Sequence, residues 1–82
     1  MTELKNIKPD YIADARGSSC PGPILEAKKS IAKVPIGGIL EVRATDPGTK
    51  NDLPAWTKKM KHEFLGIREA DGYFSLFIRR KR

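Results

Sequence analysis

Cys20 is the residue best suited to covalent chemistry in this chain, because a thiolate is a strong nucleophile and this cysteine is the only one present. It stands in the run Cys20-Pro21-Gly22-Pro23, directly before a segment that reads as a helix. Proline is tolerated in a first helical turn, where its missing N–H would have had no partner. The free N–H groups of Gly22 and Ile24 and the helix dipole would favour an anion beside them. The sequence therefore predicts a reactive thiolate supported by Pro21, Gly22, Pro23 and Ile24.

The alternative role for this cysteine is packing, since free cysteines are often buried as small hydrophobic residues. The surrounding loop argues against it, because it is rich in glycine, serine and proline and includes Gly17, Ser18 and Ser19. A loop of this composition favours an exposed, functional thiol. Arg16, four residues earlier, is a candidate for electrostatic support of the thiolate.

Length and composition limit the classes of site that the chain can hold. Its 82 residues are enough for one small domain, predicted over residues 10–82 after a flexible leader at residues 1–9. One cysteine excludes an intramolecular disulfide, and with the single histidine, His62, it cannot form a structural zinc site within the chain. We expect no metal and no cofactor. The absence of an apolar leader or spanning segment predicts a cytoplasmic protein.

The charge of the chain is strongly positive, at +6. Cations are concentrated in the run Arg79–Arg82 and at Lys58, Lys59 and Lys61. Such a surface would suit nucleic acid, an acidic partner protein or an anionic substrate, and it would equally serve solubility alone. Charge by itself does not separate these functions.

Apolar periodicity predicts the elements that must position the thiol. A first strand is expected near Tyr11–Asp14, and a helix from Pro21 to about Lys33. The apolar face of that helix is predicted to contain Ile24, Ala27, Ile31 and Val34, widened by Leu25. A second strand follows at Ile39–Ala44, after the breakers Pro35 and Gly37-Gly38.

The second half of the chain predicts a helix and a hairpin. The helix is expected to begin between Thr49 and Pro54, with Leu53, Trp56 and Met60 packing into the core. Two strand-like runs, Phe64–Ala70 and Tyr73–Arg80, flank Asp71-Gly72, a strong hairpin signal. The order βαβαββ favours an α/β (α+β) fold, a two-layer sandwich of a mixed four-stranded sheet with both helices on one face. Cys20 would then lie at the carboxyl end of the first strand.

On these residues the chain resembles the TusA/SirA-like sulfur carrier family. The resemblance rests on Asp14–Pro23 with its Cys-Pro-x-Pro motif, on the second strand with Asp46-Pro47, and on Asp52–Trp56 with His62-Glu63, which resemble the second helix. It covers roughly residues 10–80. Many relatives have an acidic or other side chain at the position of Gly22, and the C-terminal tail of this chain is more basic than a carrier strictly needs.

The resemblance implies that Cys20 carries sulfane sulfur, or a thiosulfonate group, from a donor protein to an acceptor protein. Donors in the family include cysteine desulfurases and rhodanese-like or DsrE-like proteins, and destinations include tRNA thiolation, cofactor synthesis and sulfur oxidation. It implies a covalent carrier of the sulfurtransferase type more than an enzyme that turns over a small molecule. Two alternatives stay open: a small basic nucleic-acid-binding module, and a thiol redox regulator that acts through oxidation of Cys20. His62, the one side chain able to act as a base, is expected on the second helix.

Overall fold

The predicted alternation of strands and helices is present in the structure, a computed structural model that describes residues 8–18 and 22–82. The elements are β1 (Tyr11–Ala15), α1 (Gly22–Ile31), β2 (Ile39–Ala44), α2 (Thr49–Lys59), β3 (Glu63–Ala70) and β4 (Tyr73–Arg79). The predicted leader at residues 1–9 lies mostly outside the described residues, as do Cys20 and Pro21.

The four strands of the described residues form one mixed sheet in the order β1-β2-β4-β3. β1 and β2 are parallel, and β4 is antiparallel to both β2 and β3. The parallel pair requires a crossover, which α1 supplies, and the antiparallel pair β3–β4 requires only a tight turn. Gly72 takes a φ of 78° in that turn, a conformation that costs glycine little. The predicted fold class is confirmed.

The core lies between the sheet and the two helices. α1 packs on β1 and β2, α2 packs on β3 and β4, and the helices contact each other. The sheet contributes alternate residues of its two central strands, so Leu40, Val42, Leu76 and Ile78 are fully buried. Burying each such side chain contributes about 1.5–3 kcal/mol relative to leaving it in water. α2 adds Leu53, which is also fully buried.

Two residues assigned to the core from their spacing are exposed. Leu25 is 55% exposed and Met60 is 41% exposed. The prediction that Leu25 widens the apolar face of the first helix was therefore wrong, as was the prediction that Met60 packs into the core. The helices instead bury short side chains: Ser30 on α1, and Thr49 and Thr57 on α2. A helix that lies close to a sheet and to another helix favours small residues at the contact, which a search for large apolar residues overlooks.

The second helix ends earlier than the sequence indicated. α2 ends at Lys59, Met60 is its C-terminal cap, and Lys61 takes a φ of 63° that turns the chain away. His62 therefore lies in a loop, and Glu63 is the first residue of β3, so the placement of both on the second helix was wrong. The difference arises because Glu63 pairs with Arg79 of β4, and this pairing extends β3 toward its N-terminus.

The sheet face away from the helices is also partly buried. On β4, Ser75 is 1% exposed and Phe77 is fully buried, and Glu41 on the neighbouring β2 is 2% exposed. The guanidinium of Arg68 on β3 lies over the Phe77 ring, 5.2 Å from its centroid. β4 is therefore buried on both faces. None of the helices within residues 8–18 and 22–82 is long and apolar enough to cross a membrane.

Candidate functional site

The site begins at the edge of the sheet where β1 and β2 end. The amide of Ser18 donates to the carbonyl of Ala15 at 3.1 Å, which closes a turn directly after β1. The amide of Gly17 donates to the hydroxyl of Thr45, directly after β2, at 2.9 Å. Gly17 has a φ of 82°, which only glycine adopts at little cost. The loop that leaves β1 is therefore anchored both to its own strand and to the loop that follows β2.

Three of the predicted site residues can be located on α1. Gly22 is the first residue of the helix, Pro23 is buried in its first turn, and Ile24 is half-buried against the core. Proline in this position removes an N–H that has no helical partner, which agrees with the predicted helix start. The candidate nucleophile Cys20 and Pro21 lie outside the described residues.

Ser18 and Gly22, which flank residues 19–21 in sequence, approach each other closely. A Cβ added at Gly22 would lie 2.9 Å from the Cβ of Ser18, closer than two carbon atoms can pack. Any side chain at position 22 would therefore require the Ser18 backbone to move. The close approach of Ser18 therefore favours glycine at position 22.

Arg16 is tied to the sheet through Asp14. Its Nε and one terminal nitrogen donate to the two carboxylate oxygens of Asp14, each at 2.8 Å. These hydrogen bonds hold the pKa of Asp14 at about 2 and raise the pKa of Arg16. The same guanidinium lies 5.2 Å from the centroid of the Tyr73 ring. The charge of Arg16 is therefore paired with that of Asp14, and the pair acts as a clamp between β1 and the loop that follows it.

Four residues near this clamp, Glu41, Arg43, Tyr73 and Ser75, were not predicted from the sequence. Arg43 also lies close to Tyr73, 5.7 Å from the ring centroid, and its Nε donates to the buried carboxylate of Glu41 at 2.7 Å. The hydroxyl of Ser75 donates to the same oxygen at 3.0 Å. The hydrogen bond to Glu41 raises the pKa of Arg43. The two-residue alternation of β-strands could have identified them, because Glu41, Arg43, Tyr73 and Ser75 all alternate with core positions and so share the opposite face of the sheet.

His62 lies at the opposite edge of the sheet from this loop. Its Nδ1 accepts a hydrogen bond from the amide of Lys81 at 3.1 Å, and its ring centroid is 6.2 Å from that of Trp56. Burial lowers the pKa of His62, and the positive charges of Arg80 and Arg82 lower it further. The neutral imidazole is therefore favoured, and His62 adjoins the end of β4 opposite to Tyr73. Within residues 8–18 and 22–82, no three histidine, cysteine or carboxylate side chains cluster as a metal site would require.

Comparison with known proteins gives a consistent assignment. Residues 11–80 match the family model of sulfurtransferase TusA. The sulfur carrier protein TusA of Pseudomonas putida is 37% identical over 78 residues, which are 95% of this chain and 98% of that protein. YrkI of Bacillus subtilis is 49% identical over 59 residues, 72% of this chain and 79% of its own length.

A solved structure agrees with the fold as well. The crystal structure of a SirA-like protein from Desulfitobacterium hafniense superposes with a TM-score of 0.70 at 25% sequence identity, covering 88% of this chain and 99% of that one. The family model and the P. putida relative both extend across the sheet, the two helices and the Cys-Pro-x-Pro segment. The chain therefore belongs to the sulfurtransferase TusA family.

Proposed function

We propose that this protein is a sulfur carrier that holds sulfane sulfur on Cys20 as a persulfide and delivers it to an acceptor protein. The observation that carries the proposal is the position of the only cysteine of the chain, immediately before α1, inside a region that matches the TusA family from residue 11 to residue 80. The sulfur carriers named among the relatives support the same role.

The transfer step requires one nucleophile and no added oxidant or reductant. The Cys20 thiolate attacks the outer sulfur of a donor persulfide, a new S–S bond forms, and the donor cysteine leaves as a thiolate. The outer sulfur keeps its proton, so Cys20 becomes a neutral persulfide that ionises readily. Attack by an acceptor thiolate on that outer sulfur reverses the exchange and restores the Cys20 thiolate. Both steps conserve charge and oxidation state.

The start of α1 supports both anions of this cycle. Gly22 and Ile24 supply N–H groups in a first turn that lacks helical acceptors, and the helix dipole adds partial positive charge there. Such an end favours a thiolate over a thiol, and a persulfide anion over its protonated form. No lysine or arginine needs to contact the sulfur, which agrees with the pairing of Arg16 to Asp14.

The anchors around the loop serve the exchange by limiting its movement. The bonds from Gly17 to Thr45 and from Ser18 to Ala15 fix the backbone two to three residues before Cys20. α1 fixes it two residues after. A carrier must present the same sulfur to two different partners, so a short loop with both ends held is advantageous. The proposal includes a donor protein and an acceptor protein, which act in tRNA thiolation, cofactor synthesis or sulfur oxidation. It also includes a cytoplasmic location.

The test is intact-protein mass spectrometry after incubation with a persulfide-loaded cysteine desulfurase and, separately, with thiosulfate and a rhodanese. We expect the wild type to gain one sulfur atom, and the gain to disappear on reduction. Cys20→Ser should gain none. A thiosulfonate adduct in place of the single sulfur would show that the protein carries a thiosulfonate group, and it would still support the role of a carrier.

A matched variant separates the thiol from its position. Ser19→Cys combined with Cys20→Ser retains one cysteine in the loop but moves it one residue away from α1. We expect this double variant to accept sulfur more slowly than the wild type. Equal loading of the wild type and of Cys20→Ser would contradict the proposal, because the sulfur would then sit on another group.

A further inference from the structure

The excess of positive over negative charge in this protein comes from one end of the fold. Seven lysines and arginines and one carboxylate lie in residues 58–63 and 79–82, which we call the cationic end. The remaining nine lysines and arginines are balanced by nine aspartates and glutamates. The whole formal charge of +6 therefore resides in these ten residues.

The two segments of the cationic end are held together by specific contacts. The amide of Lys81 donates to Nδ1 of His62 at 3.1 Å, and the Lys81 ammonium lies 3.6 Å from the carboxylate of Glu63. Arg79 pairs with the same carboxylate at 3.4 Å. Glu63, the first residue of β3, thus joins that strand to the C-terminal segment and holds Arg79 and Lys81 next to each other.

Arg80 fixes the C-terminal segment to the body of the fold. Its guanidinium donates to the carbonyl of Val34 at 2.7 Å, just beyond α1, where a cation also complements the helix dipole. Its amide donates to Gly38 at 2.9 Å, and its carbonyl accepts from Gly37 at 2.6 Å. The basic run is therefore part of the folded structure, and the side chains of Arg79, Arg80 and Lys81 each have a partner in it.

A shallow depression lies between the two segments, lined by Lys59, Met60, His62 and Arg82. Lys59, Lys61 and Arg82 are exposed, and the Lys81 side chain is 53% exposed. Burial, and then the charges of Arg80 and Arg82, lower the pKa of His62, and its Nδ1 accepts the Lys81 amide. A group of closely spaced cations with one exposed apolar side chain, Met60, is thus presented to solvent.

We propose that the cationic end binds the phosphate backbone of nucleic acid. Interfaces between proteins have apolar centres depleted of charge, whereas interfaces with nucleic acid are polar and strongly positive. Met60 is the one large apolar side chain of the depression, so its composition fits the second kind. Arginine also binds phosphate through paired N–H donors. This function is independent of the proposed sulfur transfer.

The cationic end and the Arg16 side chain lie at opposite ends of β4. β4 runs from Tyr73, beside the Arg16 clamp, to Arg79 at the cationic end, a length of about 20 Å. Nucleic acid bound at one end would leave the other accessible to partner proteins. The surface therefore serves to localise the protein on nucleic acid while the sulfur-handling end stays free.

The test is fluorescence anisotropy with a labelled oligouridylate, in salt from about 50 to about 200 mM. One variant combines Lys59→Gln, Lys61→Gln and Arg82→Gln; its matched control combines Lys28→Gln, Lys29→Gln and Lys33→Gln on and just after α1. Each removes three positive charges. We expect the first to bind about tenfold more weakly or worse, with a shallower salt dependence by about two in log–log slope, and the control to change less than about twofold.

Two further measurements complete the test. Cys20→Ser should bind as the wild type does, so loss of sulfur loading and loss of nucleic-acid binding can be told apart. Chemical-shift changes in the wild type on adding the oligonucleotide should map to the cationic end, which keeps the proposal testable should the triple variant unfold. Equal weakening in both triple variants would overturn it, as would tighter binding of a polyglutamate peptide, which would make the surface a dock for acidic proteins.

Discussion

Glu41 offers a sharp test of the energetics on the sheet face away from the helices. Its side chain is 3% exposed and accepts hydrogen bonds from Arg43 at 2.7 Å and from Ser75 at 3.0 Å. Glu41→Gln keeps the shape and one acceptor oxygen but removes the charge that strengthens both bonds. A hydrogen bond to a charged group contributes about 1.5–3 kcal/mol, about twice the value for a neutral one.

The expected loss is about 2 kcal/mol in the free energy of unfolding. Each of the two hydrogen bonds weakens by roughly half. Arg43, whose side chain is 29% exposed, offsets part of this loss by forming hydrogen bonds with water. For a domain of this size, 1 kcal/mol corresponds to about 4–8 °C in Tm, so the variant should melt about 8–16 °C lower. Equilibrium urea unfolding measures the difference directly, provided that the slope with urea is unchanged.

Glu69→Gln is the matched control, because it makes the same change in charge on the same sheet. Glu69 pairs with Lys50 at 2.7 Å, but its side chain is 67% exposed. Exposed pairs contribute about 0–1 kcal/mol, so this variant should lose less than about 1 kcal/mol. Equal losses in the two variants, or a gain in stability for Glu41→Gln, would refute the argument that burial strengthens the Glu41 bonds.

Three other predictions follow from single contacts. The free energy of unfolding should fall as the pH drops from about 7.5 through 6.5 and level off below the folded pKa of His62, because the unfolded chain takes up that proton first; His62→Gln should remove this slope. The carboxyl of Asp14 should titrate at about 2 by NMR and return toward 3.8 in Arg16→Ala, so its pair with Arg16 stabilises the fold above about pH 4 and is lost as pH falls toward 2. Gly22→Ala should destabilise the protein by about 1 kcal/mol despite the better helix propensity of alanine, and adding Ser18→Gly should restore the loss.

Each of these predictions has an outcome that would contradict it. A pH slope between 5.5 and 7.5 that persists in His62→Gln would show that another group, and not the single histidine of the chain, takes up the proton. An Asp14 carboxyl that still titrates near 2 in Arg16→Ala would assign the shift to a different partner. A stabilised Gly22→Ala variant would show that the Ser18 loop moves aside at little cost.

Several features were predictable because their causes are local in the chain. The bounds of β2, the hairpin at Asp71-Gly72 and the order βαβαββ follow from period-two and period-3.6 patterns and from turn residues. The start of α1 near Pro23 follows from the chemistry of proline in a first turn. The assignment of Cys20 as the sulfur-carrying residue also comes from sequence, and it stays a prediction.

Other features depend on which strands become neighbours. Placing β4 between β2 and β3 buries Ser75 and Phe77 on a face that alternation alone would leave in water, and gives Glu41 two partners. The contact between helices and sheet selects small side chains such as Ser30, and leaves Leu25 exposed. Basic segments about twenty residues apart meet at one end only because β3 and β4 are antiparallel. Spacing along a chain determines which residues share a face, but only packing determines what covers that face and which distant charges meet.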